Sequence, residues 1–94
     1  KMTTEGITQL RHQIDELDDQ LMNLLSKRMR VCREIGQYKK EHNMTVLQPA
    51  RYNEILDKRG AQGALCGMAS EFTAHVFELI HEESVRQQIE ILNQ

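Results

Sequence analysis

Residues 7–42 contain no proline and one glycine, Gly36. Across them apolar side chains recur at Ile7, Leu10, Ile14, Leu17, Leu21, Leu24, Leu25, Val31, Cys32 and Ile35, mostly in steps of three and four. That spacing lays one apolar stripe along an α-helix, whereas a strand needs period two. The pattern predicts a single helix over about 5–42, with Thr4 as its cap and Asn43 as its stop. A helix that breaks near Gly36 is the alternative.

The length of this helix bears on assembly. As a helix the segment rises roughly 54 Å. A compact monomer of 94 residues has a diameter of only roughly 32 Å. The apolar stripe continues along the overhang, and two further helices of one chain cover only part of it. A second copy is the simplest cover, so an obligate homodimer is expected, with folding and association one process.

The rest of the chain also reads as helical. Gln48-Pro49-Ala50 marks a new start with proline in the first turn. Ile55 and Leu56 give the second helix, about 49–59, its apolar side, and Gly60, Gly63 and Gly67 mark the next connection. A third helix over about 68–92 carries Ala69, Phe72, Val76, Phe77, Leu79, Ile80, Val85, Ile89 and Leu92. No stretch alternates with period two. The fold class is therefore all-α, with a long, a short and a medium helix in a single domain over residues 1–94.

With 39% apolar and 28% charged residues and a formal net charge of -2, the composition is that of a soluble globular chain. No apolar run approaches the roughly 20 residues that cross a bilayer, and the start has no signal-peptide core. Lysine ahead of Met2 reads as a tag remnant or a domain cut from a longer chain. Cys32 and Cys66 read as packed, reduced thiols of a cytoplasmic protein, with one disulfide as the alternative. The four histidines form no metal-ligand spacing, and no phosphate-binding glycine loop or nucleophile elbow is present. The basic stretch Lys27, Arg28, Arg30, Arg33, Lys39, Lys40 is interrupted by Glu34, with slight aromatic interleaving, so it does not read as a nucleic-acid surface.

The informative residues are polar ones in apolar columns. With Ile7 at heptad position a, the a and d column reads Ile7, Leu10, Ile14, Leu17, Leu21, Leu24, Arg28, Val31, Ile35, Tyr38. Arg28 is the one charge in it. The adjacent e column, Arg11, Asp18, Leu25, Cys32, Lys39, puts two more cations beside the seam. A buried arginine cannot shed its proton and requires an anion. In the third helix the stripe Phe77, Ile80 continues as Ser84 and Gln88 before Ile91. Arg51 lies in the first turn of the second helix. Each helix thus offers polar groups suited to a small anion. The bland alternative pairs Arg28 with a carboxylate such as Asp18 of a second chain and leaves Ser84 and Gln88 bonded to backbone.

Helix geometry limits which of these act together. The 1.5 Å rise sets Arg28 and Lys39 about 16 Å apart, but Arg11 about 25 Å from Arg28 and about 42 Å from Lys39. Arg11 joins the others only from the other chain of an antiparallel dimer, so a real site is shared.

The segment Leu10-Arg11-x-x-Ile14-Asp15-x-Leu17-Asp18-x-x-Leu21, followed by Leu24-Leu25-x-x-Arg28 and Ile35-Gly36-x-x-Lys39, resembles the opening helix of the chorismate mutases of the all-helical AroQ class. The closing Ile80-His81-Glu82-Glu83-Ser84-Val85-x-x-Gln88 is similar to theirs as well, so the resemblance covers essentially the whole chain. It implies an intertwined homodimer with two shared sites. The implied reaction is the cofactor-free, metal-free rearrangement of chorismate to prephenate in phenylalanine and tyrosine biosynthesis. It implies that Arg28 and the partner's Arg11 hold the substrate carboxylates. Lys39 is implied to meet a carboxylate and the ether oxygen, Gln88 the ether oxygen and Ser84 a carboxylate, with Arg51 adding positive field. Two positions depart from the pattern. Gln48 and Tyr52 stand where many members carry an aspartate and a glutamate that bind the substrate hydroxyl. The Gln48 backbone and the Tyr52 hydroxyl are the candidates to replace them. His81 stands where members often have an apolar residue. The rivals are an isochorismate pyruvate lyase of the same fold and a non-catalytic helical dimerisation or regulatory domain. Fusion to another aromatic-pathway enzyme is open, and no feedback site is expected within the 94 residues.

Overall fold

A computed structural model describes residues 4–94; the reading of Lys1 and Met2 lies outside the described residues. The element order is α1 (Thr4–Glu41), α2 (Pro49–Leu65) and α3 (Ser70–Leu92), with no strand among the described residues. None of these helices is long and apolar enough to cross a membrane. The chain divides into two compact units after Arg30, inside α1.

α1 passes through Gly36 without a break. It stops where the asparagine was expected to stop it. Asn43 has φ 53, the left-handed conformation that asparagine tolerates better than most residues. Its turn lets the Met44 N–H donate to the Lys39 carbonyl at 2.9 Å and the Asn43 N–H to the Lys40 carbonyl at 3.5 Å. This is the paired C-terminal motif that satisfies orphan helix carbonyls. Thr4 is the first helical residue, and its carbonyl accepts the Thr8 hydroxyl at 2.9 Å.

α2 starts at Pro49 as expected but does not end near 59. It continues through Gly60 and Gly63 to Leu65. The stop is Gly67, with φ +83, followed by Met68 N–H donating to the Gly63 carbonyl at 2.9 Å. Gly60 and Gly63 are buried contact points instead of connectors. A Cβ at Gly63 would collide with the Thr73 hydroxyl and come within 2.6 Å of the Thr73 Cβ. These glycines let α2 lie closely on α3. Arg59 adds a cation–π contact at 5.7 Å from the centre of the Phe77 ring.

The first unit is the leading part of α1, and its stripe Ile7, Leu10, Ile14, Leu17, Leu21, Leu24 is exposed, Leu24 at 60%. In the second unit the trailing part of α1 buries Cys32, Gly36 and Lys39. These fall one helical step to the side of the predicted seam. Val31, Ile35 and Tyr38, members of the seam itself, are 43–55% exposed. Phe72, Leu79 and Ile89 of α3 are also exposed. Among the described residues, Met29 and Cys32 are the buried apolar side chains. Cys66 is exposed, against the expectation of packing, and both cysteines are reduced.

Polar contacts tie α1 to α3 within the second unit. Arg33 Nη1 donates to Gln87 Oε1 at 2.6 Å. Lys40 Nζ donates to the carbonyls of Gln94 at 2.6 Å and Ile91 at 3.4 Å, placing a cation at the negative end of α3.

Candidate active site

Three of the expected residues form one buried hydrogen-bonded chain. Lys39 Nζ donates to Gln88 Oε1 at 2.9 Å. Gln88 Nε2 donates to Ser84 Oγ at 2.9 Å. Lys39 also donates to the Val46 carbonyl at 2.7 Å. The three side chains are 9%, 6% and 6% exposed in the order Lys39, Ser84, Gln88. Their elements explain the meeting. Ser84 and Gln88 are i and i+4 on α3, hence on one face. Lys39 lies on the buried face of α1 opposite them. The Asn43 turn brings the chain back so that Val46 caps the ammonium.

The amide orientation follows from the partners. An ammonium has only donors, so the oxygen of Gln88 must face Lys39 and its nitrogen must face Ser84. Lys39 has three N–H donors and spends two; the Gln88 nitrogen has two and spends one. Beyond these bonds Lys39 and Gln88 each keep one N–H. Burial holds the Lys39 ammonium below the ordinary lysine value of 10.5, and the Cys32 thiol beside it partly offsets this. Among the described residues no carboxylate pairs with Lys39. Its acceptors are neutral oxygens, so the charge is available to a guest anion.

The other expected residues are placed differently. Arg11 is exposed and Arg28 is half-buried, both in the first unit. Arg51 is exposed and bound to Glu54 at 2.5 Å. Gln48 directs its amide to Thr45, at 2.9 Å to the carbonyl and 3.2 Å to the hydroxyl. Gln48 is the residue ahead of α2, yet its side chain makes no cap bond. Tyr52 stacks on His81 with ring centroids 4.0 Å apart. Tyr52 and His81, two of the three positions that depart from the resemblance, thus touch one another. Burial and the nearby Glu78 and Glu82 carboxylates push the Tyr52 hydroxyl above its usual value, keeping it protonated. The Val46 carbonyl had no signal in the sequence, because every residue carries one.

A family description, chorismate mutase type II, matches residues 10–89. The chain belongs to that family. Similar proteins include the T-protein of Haemophilus influenzae, 28% identical over 80 residues, which are 85% of this chain and 21% of that protein. The bifunctional chorismate mutase/prephenate dehydratase of Buchnera aphidicola (Acyrthosiphon pisum) is 32% identical over 82 residues, 87% of this chain and 21% of that protein. The 4-amino-4-deoxychorismate mutase of Streptomyces venezuelae is 26% identical over 80 residues, 85% of this chain and 78% of that protein. The chain spans about a fifth of the length of the T-proteins it matches.

Proposed function

We propose that this chorismate mutase type II chain catalyses the Claisen rearrangement of chorismate to prephenate. The observation that carries the reading is the Lys39–Gln88–Ser84 chain, a buried ammonium with no carboxylate partner among the described residues, beside a fixed amide donor. The reaction breaks the ether C–O bond and forms a C–C bond within one molecule. It needs no nucleophile, no general base and no cofactor. What it needs is a compact substrate conformer and donors aimed at the ether oxygen as negative charge grows there. The remaining Lys39 and Gln88 protons serve that oxygen. Ser84 fixes the Gln88 amide and adjoins a substrate carboxylate. Arg28 and the partner's Arg11 hold the carboxylates, and Arg51 exchanges Glu54 for the substrate's field.

The working unit in this proposal is a cytoplasmic, intertwined homodimer with two shared sites. The exposed stripe from Ile7 to Leu24, with Val31, Ile35 and Tyr38 beyond it, supports this, because a lone chain leaves these side chains in water. Covalent fusion to a second aromatic-pathway enzyme fits the bifunctional relatives. Substrate choice is set at Gln48 and Tyr52. Neither carries a carboxylate, which favours a neutral hydroxyl over an ammonium on the substrate ring. Incubating the purified chain separately with chorismate, isochorismate and 4-amino-4-deoxychorismate tests the proposal. Loss of chorismate absorbance with prephenate as product is expected. Pyruvate release from isochorismate alone would make it a lyase, preferential turnover of the amino compound would reassign the substrate, and no turnover of any would leave a binding domain.

A further inference from the structure

Gly36 is buried on the face of α1 that carries Lys39, in the second unit. A Cβ built there would lie 3.1 Å from the Gln88 Cα, 3.3 Å from its Cγ and 3.4 Å from its Cβ. Each separation is shorter than the roughly 3.5–4.0 Å at which carbon atoms pack best. The nearest obstacle is backbone, so swinging a flexible side-chain end does not relieve it. α3 itself would have to give way at Gln88. Three residues on, and on the same face, Lys39 holds the amide of that glutamine at 2.9 Å. A shift that admits a methyl therefore moves the group that presents the donor. Nothing local asks for glycine here: the position is mid-helix, where alanine is the better residue.

We infer that Gly36 is a positioning residue for the reaction. Its missing side chain brings α3 close enough for the Gln88 amide to lock between Lys39 and Ser84, with its second proton held toward the reacting oxygen. The inference rests on the mutase reading of this site and adds a residue that touches no substrate.

Gly36→Ala is compared with the unchanged chain, each also in a Gln88→Ala background, by kcat and KM on chorismate and by thermal unfolding. In the unchanged background kcat falls by roughly 10-fold or more with KM nearly constant, as a small misplacement of a donor requires. The melting temperature changes little, since the helix gain of alanine offsets part of the cost of displacing α3. In the Gln88→Ala background the same change costs less than about 2-fold, because coupled residues do not act additively. An equal loss in both backgrounds, an unchanged kcat, or a Gly36→Ala chain that does not fold would overturn the inference. If the unchanged chain does not turn over chorismate, the mutase reading fails by itself. The Gln88 side-chain amide is then followed by 15N NMR, assigned by its loss in Gln88→Ala. A shift of that signal in Gly36→Ala upholds the positioning, and an unmoved signal overturns it.

Discussion

The Lys39 ammonium and the Gln88 amide oxygen, 49 residues apart in sequence, meet at 2.9 Å in a buried setting. Neither side chain brings a counter-charge to the other. A lysine taken from water at a cost of several kcal/mol is held by neutral acceptors, Gln88 and the Val46 carbonyl. That arrangement leaves its charge uncancelled and its direction fixed, which is what an electrostatic donor requires.

Replacing either cation is expected to disable the reaction. Lys39→Ala and Arg28→Ala each lose at least about 100-fold in kcat/KM, the loss typical of a missing oxyanion-type donor. Steady-state kinetics on chorismate, with circular dichroism to check the fold, measures this. A loss below about 10-fold for both removes these roles.

The pH profile should carry the mark of Lys39. Its native pKa lies below 10.5, chiefly because burial disfavours the charge. Between the two values the unfolded chain binds more protons, so stability rises with pH across that window. Activity runs the opposite way, since only the ammonium acts: kcat/KM falls as pH rises through the lowered pKa. A bound dianion raises the pKa again, so the alkaline limb of kcat lies higher than that of kcat/KM. In Lys39→Arg the limb moves out of the accessible range.

The exposed stripe of α1 is expected to be the dimer seam. Leu21 and Leu24 are 58% and 60% exposed in the single chain, so a charge there costs a monomer little. In a dimer it buries an unpaired ammonium. Leu21→Lys or Leu24→Lys should shift sedimentation toward monomer and lower the melting temperature with strong concentration dependence. An unchanged mass and stability would argue for a self-contained chain.

Gly63→Ala should weaken the α2–α3 contact. The added methyl meets Thr73, which is 8% exposed and bonded to the Ala69 carbonyl at 3.4 Å. Overpacking of this kind costs about 1–3 kcal/mol, more than the roughly 1 kcal/mol that alanine gains over glycine in a helix. Urea unfolding should show a net loss, and restoring room with Thr73→Ala in the same chain, which removes the hydroxyl that the methyl meets, should recover part of it.

Much of this was legible in the primary structure because it is periodic or local. The three-and-four spacing of residues 7–42 announced α1, Pro49 announced the start of α2, and Asn43 announced a stop that its φ of 53 explains. Ser84 and Gln88 stood out because two polar residues replaced apolar ones on one helix face. The end of α2 was not legible. Gly60 and Gly63 look like a connection in one dimension, and only the neighbouring α3 shows that their missing side chains serve close packing.

Residue identity alone therefore determined the helices, the apolar stripe and the polar positions within it, since these follow from side-chain chemistry and a fixed 3.6-residue turn. The chain fold decided the rest. It chose Cys32, Gly36 and Lys39 as the face of α1 to bury, one step from the apolar seam, and set the Val46 carbonyl on the ammonium. It also stacked Tyr52 on His81, a contact between side chains 29 residues apart. Such choices depend on distances between segments far apart in sequence, and no local pattern encodes a distance.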